Sequence, residues 1–189
     1  MVDISRASQH ALKNFAFNAG AFYGSAQGLS LGVGLIYDRI CFPLYDDEDG
    51  LFDTVEGMVY VLTHECDLDQ ANERHFNKHV LICPVIKFEE FADDFISAQS
   101  EGALFGIIPD IAQNNIFRLF YLPPIPRHVA VDVLPYGGIL FMNQICSTHV
   151  NVFVGEPVCA LSMYAVQRFD LKLQNHLFRP KAELLPRLM

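Results

Sequence analysis

The chain has 189 residues, of which 51% are hydrophobic, 12% aromatic and 19% charged, a balance that excludes a disordered segment, a collagen-like fibre and a disulfide-stapled mini-protein. Such a length buries roughly 70% of the surface exposed in the unfolded chain, enough for a core without metals or cystines. Thirteen Lys and Arg stand against 22 Asp and Glu for a net charge of −9, and a field of that sign repels phosphate backbones, which argues against general nucleic-acid binding.

The five cysteines, Cys41, Cys66, Cys83, Cys146 and Cys159, are odd in number and lack CxxC spacing. That fits reduced, mostly buried thiols and a cytoplasmic chain. Residues 1–30 carry no basic segment followed by an apolar one, and no apolar run reaches the ~18 residues of a membrane helix, so a soluble protein without membrane contact is expected. The last 25 residues hold Arg168, Lys172, Arg179, Lys181 and Arg187 against Asp170 and Glu183, a solvated helix face or a local basic contact.

The spacing predicts an N-terminal helix over 6–18, capped by Ser5 and stopped near Gly20. Gly20, Gly24, Gly28, Gly32 and Gly34 follow. They lack the third glycine of GxGxxG and lead into β-formers, so they read as tight turns around a strand at 33–41, not as a dinucleotide loop. Asp46-Asp47-Glu48-Asp49-Gly50 is a charged loop tip without the alternating ligands of a calcium loop. The run Met58–Thr63 reads as a strand buried on both faces, ending in His64-Glu65-Cys66-Asp67, and Val80–Ile86 as a second of the same kind. An amphipathic helix is expected over 88–100, stopped near Gly102, then strands at 116–122, 129–134, 138–142 and 149–154. Val166, Phe169, Leu173 and Leu177 form one stripe of a C-terminal helix over 162–179, ended by Pro180. One domain over 1–189 follows, its sheet-rich core at 33–160. The class is α+β: a strongly bent, mixed or mainly antiparallel sheet or a small partly closed barrel, with N- and C-terminal helices packed on it.

If the strand continues through residue 66, His64 and Cys66 share one face and Glu65 and Asp67 the other. An antiparallel hairpin of 58–66 with 78–86 would bring His79, and His75 with it, to the same end, leaving Cys83 as a core thiol. Three uses of this corner are open. Cys66 could be a nucleophile held as thiolate by His64 or His79, with Asp67 or Asp69 orienting the base. His64 and Cys66 with His79 or His75 could hold zinc or iron. Or Cys66 is a buried filler, with His64 bonding a carbonyl and Asp67 capping the loop. Polar groups directly after a buried strand stand where sheets present their sites, and that position carries the functional readings.

Arg118 and Asp132 are lone charges in two expected apolar strands, so an Arg118–Asp132 pair is expected, or else Arg118 as an anion clamp facing Cys66. His128 and His149 read as ordinary, partly exposed histidines. The leading expectation is a module that binds a protein partner or a small ligand in a pocket walled by Thr63, His64, Cys66 and Asp67, with Arg118 and Asp132 nearby and no cofactor. A thiol-dependent hydrolase and a metal site are its rivals.

The stretch Gly57 to Leu68 resembles a motif of small bacterial proteins of no assigned activity: glycine, apolar strand, Ser/Thr, His/Gln, any residue, Cys-Asp, apolar. Arg118–Pro123 followed by Val131-Asp132-Val133, and the closing His176-Leu177-Phe178-Arg179-Pro180, are similar to the same group. The resemblance covers about 30 residues. It implies that His64, Cys66, Asp67, Arg118, Asp132 and Arg179 are the positions of interest, and a link to mobile elements or defence loci that some of that group have.

Overall fold

A computed structural model describes residues 3–45, 50–69 and 78–178. The acidic tip at 46–49, His75, Arg179 and Pro180 lie outside these residues.

The helix α1 runs Ile4–Asn14 and is capped by Asp3, whose side chain accepts the Arg6 N–H at 3.0 Å, not by Ser5. A two-residue strand β1 (Tyr23–Gly24) precedes the long hairpin β2 (Leu35–Tyr45) and β3 (Phe52–Val61). A four-residue helix α2 (Glu65–Leu68) is followed by β4 (His79–Lys87), α3 (Phe88–Ala98) and α4 (Glu101–Ala112). Short strands β5 (Leu119–Leu122), β6 (Gly138–Phe141), β7 (Cys146–His149) and β8 (Cys159–Leu161) lead to the closing helix α5 (Met163–Leu177).

The strands form one antiparallel sheet in the order β1-β8-β2-β3-β4-β6-β5. The outer edge of β4 is divided: Val85–Lys87 pair with β6, and His79–Ile82 pair with β7. The sheet does not close, but Thr148 on β7 donates its hydroxyl to the Cys41 carbonyl on β2 at 2.9 Å, so β7 leans back toward the hairpin. The α+β class with an open antiparallel sheet and a helix at each end of the chain is therefore as the sequence predicts.

Strand alternation sorts the side chains into clusters. Met58, Tyr60, Cys83 and Val85 face a core closed by Val166 and Phe169 of α5. Val59, Val61, Val80 and Ile82 face the opposite way and pack with Leu35, Tyr37 and Ile40 of β2. At the other end of the sheet, Leu119, Tyr121 and Ile139 are covered by Ala7, Ala11, Leu104 and Ile108 from α1 and α4. Of the predicted C-terminal stripe, Val166 and Phe169 are buried, whereas Leu177 is exposed because α5 outruns the sheet.

Several expected elements are corrected. The helix α4 begins where a stop near Gly102 is expected; Ser100 caps it by accepting the Ala103 N–H at 3.1 Å. Its apolar residues run nearly all round, and Gly102, Gly106 and Pro109 lie within it, so it lacks the one-sided pattern that betrays a surface helix. Residues 129–134 form turns, with Asp132 and Leu134 at left-handed φ of 54° and 46°. The strand expected at 149–154 instead ends at His149, where the chain enters a single 3-10 turn over Val150–Val152. Finally, β3 starts six residues earlier than expected and stops at Val61.

Candidate functional site: a cleft facing His64

The end of β3 is set by two hydrogen bonds. Leu62 donates its N–H to the Leu81 carbonyl at 2.9 Å, and Leu81 returns its N–H to the hydroxyl of Thr63 at 2.7 Å. In a regular rung that acceptor would be the Leu62 carbonyl. The chain then leaves the sheet with His64 at the N-cap position of α2, and Asp67 donates its N–H to the His64 carbonyl at 3.0 Å. The expected strand through residue 66 is thus replaced by a helical turn. Residues two apart on a helix diverge by about 200°, so the spacing that would set imidazole beside thiol on a strand separates them here.

His64 and Glu65 instead line a cleft of about 760 Å³. Its walls are the glycine-rich segment from Gly24 to Val33 and the first two turns of α5. Gly32 makes the close approach: a Cβ there would lie 2.9 Å from Glu65 Cβ and 3.1 Å from the Glu65 backbone nitrogen. Gly34, at φ +92°, bridges the strands by donating to the Val61 carbonyl and accepting from Leu161. Leu29, Val33, Leu161 and Val166 supply apolar lining; Ser25, Ser30, Ser162 and Gln167 supply polar groups.

The second carboxylate in the cleft is Asp170, on α5. Partial burial raises its carboxyl above the usual range, and the charge of His64 partly opposes that shift. Behind it lies Tyr60, whose ring packs on Phe169 at 4.8 Å and whose buried hydroxyl has no hydrogen-bond partner. Burial, then the charge of Asp170, pushes the Tyr60 hydroxyl far above its ordinary value, so it stays a neutral donor. Among the described residues that line the cleft, none is Lys or Arg.

Other expected site residues lie elsewhere. Thr63 serves the ladder. Cys66 is exposed and Asp67 half-buried, and neither lines the cleft. Arg118 is exposed and lines a separate depression with Tyr45, Phe52 and Cys146. Asp132 is exposed in its turn, and no ion pair joins it to Arg118; two charges on the surface need no partner, which corrects the expected buried pair. His79 faces His149 across β4 and β7 with ring centres 6.0 Å apart. Among the described residues no three His, Cys, Asp or Glu side chains converge as a metal site, so His64, Cys66 and His79 do not form the expected zinc or iron set. Cys83 is the expected core thiol, donating to the Phe141 carbonyl at 3.3 Å.

Sequence reasoning missed Asp170, Gln167 and the glycine segment as walls. One signal was present: Asp170 directly follows the core residue Phe169 and stands four residues after Val166, at the margin of the buried stripe. No family model, no curated protein and no solved structure matches the chain. The resemblance to the small bacterial proteins therefore rests on the short motifs alone.

Proposed function

We propose that the protein is a small-molecule-binding module whose ligand site is the cleft between the glycine-rich segment and α5, taking a ligand with an amine head on an apolar body. The observation that carries this reading is that Glu65 and Asp170 share one largely apolar cleft whose described lining residues include no Lys or Arg. A partly buried carboxylate is held at a cost in its charged form, and an incoming ammonium relieves that cost while its hydrocarbon covers the apolar lining. The net charge of −9 draws cations toward the molecule.

Isothermal titration with hexylamine and, in parallel, hexanoate tests the proposal. Saturable binding of the amine, weakened at least tenfold by Asp170→Asn, is expected. Preference for the carboxylate, or no saturation by the amine, overturns it. The thiol-hydrolase reading is supported by the exposure of Cys66; against it, the expected base His64 belongs to a cleft that the thiol does not line. Cys66→Ser leaves amine binding intact if the cleft reading holds.

A further inference from the structure

The opposite flank of α5 borders a second cavity, of about 370 Å³, between Arg168–Asn175 and the loop that follows α4. Its character is the reverse of the first. Phe17 and Phe117 supply aromatic surface, with the fully buried Phe120 behind them, Arg168 and Lys172 supply cations, and none of the described lining residues is acidic. In a chain of net charge −9 such a local reversal of sign is a selective feature. The Arg168 guanidinium is exposed and lies over the rings of Phe17 at 5.0 Å and Tyr164 at 5.2 Å, which fixes its plane beside the opening.

The loop is held in place from both sides. Lys172 donates to the carbonyls of Asn114 and, at 2.8 Å, Ile116. Asn114, at φ 59°, accepts the Tyr121 N–H on its Oδ1 at 2.8 Å, while its buried Nδ2 has no hydrogen-bond partner. Asp110, at the end of α4, accepts from Asn115 at 3.2 Å and does not line the cavity.

We infer that this cavity is a second ligand site, specific for a small aromatic carboxylate, whose ring lies among the phenylalanines while Arg168 grips the carboxylate. Stacking on the phenylalanine rings and a charge-assisted pair with guanidinium are the two interactions that such a molecule offers together.

The chain contains no tryptophan, so the emission of 2-naphthoate can be followed without an indole background. Fluorescence anisotropy of 2-naphthoate titrated with the full chain is expected to show saturable binding at micromolar to submillimolar concentration. Arg168→Gln weakens it at least tenfold, and Arg168→Lys, which keeps charge but not the fork, weakens it less. Asp170→Asn, in the other cleft, leaves it unchanged, which separates this site from the amine site. Thermal unfolding of each variant, run alongside, shows that Arg168→Gln is folded. Absence of saturation, unchanged affinity in Arg168→Gln, or equal binding of 2-naphthylmethylamine overturns the inference.

Discussion

The hydroxyl of Thr63 accepts the Leu81 N–H at 2.7 Å, taking the part that the Leu62 carbonyl has in a regular rung. One side chain thereby ends β3 and turns the backbone so that His64 enters the cleft. Thr63→Val keeps the shape and removes the acceptor, and it is expected to cost about 1 kcal/mol, with Thr63→Ser close to wild type. Urea denaturation of the three proteins checks this. Equal stability for all three would show that water replaces the hydroxyl.

Gly32 bears on the same corner from the other wall. A methyl group there meets Glu65 backbone as well as its side chain, so the wall has to move. Gly32→Ala is expected to destabilise by about 1–3 kcal/mol, the range of overpacking, and to weaken amine binding. Gly28→Ala, whose Cβ would meet nothing within 4 Å but whose φ is +75°, separates backbone strain from collision. If Gly28→Ala disturbs the cleft more than Gly32→Ala, the close approach is not what shapes it.

Asp170 costs stability in the state that binds. Its carboxyl is raised by burial, with His64 opposing in part, so the folded protein keeps this proton to a higher pH than the unfolded chain. Its contribution therefore turns unfavourable as pH rises past the ordinary carboxylate range and is absent in stronger acid. Asp170→Asn should leave stability at pH 7 unchanged or raise it by about 0.5 kcal/mol, a small figure because the side chain remains partly in water. Thermal unfolding at pH 7 and pH 3 tests the sign: any gain at pH 7 should vanish at pH 3.

Alkali should unfold the protein in two stages. Burial pushes the Cys159 thiol up to about 12 and the Cys83 thiol higher still, so above pH ~8.5 the unfolded chain loses protons that the folded one keeps. Each such group lowers stability by ~1.4 kcal/mol per pH unit. Lys172 acts in the opposite sense: burial lowers it to about 8, the folded state sheds that proton first, and stability is regained between about 8 and the unfolded value. Above pH 10 this offset ends and the buried hydroxyls of Tyr23, Tyr60 and Tyr121, all raised by burial, join the thiols. Urea midpoints from pH 8 to pH 11 should fall gently and then steeply; a constant slope counts against the assignment.

The sheet was legible in the sequence because its buried stretches, Met58–Val61 and Ile82–Val85, are written in continuous apolar residues, although Leu81 beside them is half exposed. The helix α4 was not, since a helix enclosed on several sides loses its period. Nor was the turn at Thr63: a threonine that continues an apolar run also continues a strand pattern, and its hydroxyl finds the Leu81 N–H through pairing 18 residues away. His64 was legible as a site residue by its position after a buried strand. Asp170 was not, because its neighbour in the cleft, Glu65, lies 105 residues earlier, and nothing local to α5 records that distance.

Both edges of β4 are occupied, by β3 on one side and by β7 and then β6 on the other. Each β4 amide bonds one neighbour only, so those turned toward the four-residue β7 open when that strand parts, whereas those of Cys83 and Val85, turned toward β3 in the interior of the sheet, should be the last to take up solvent deuterium and should report the free energy of opening the entire molecule.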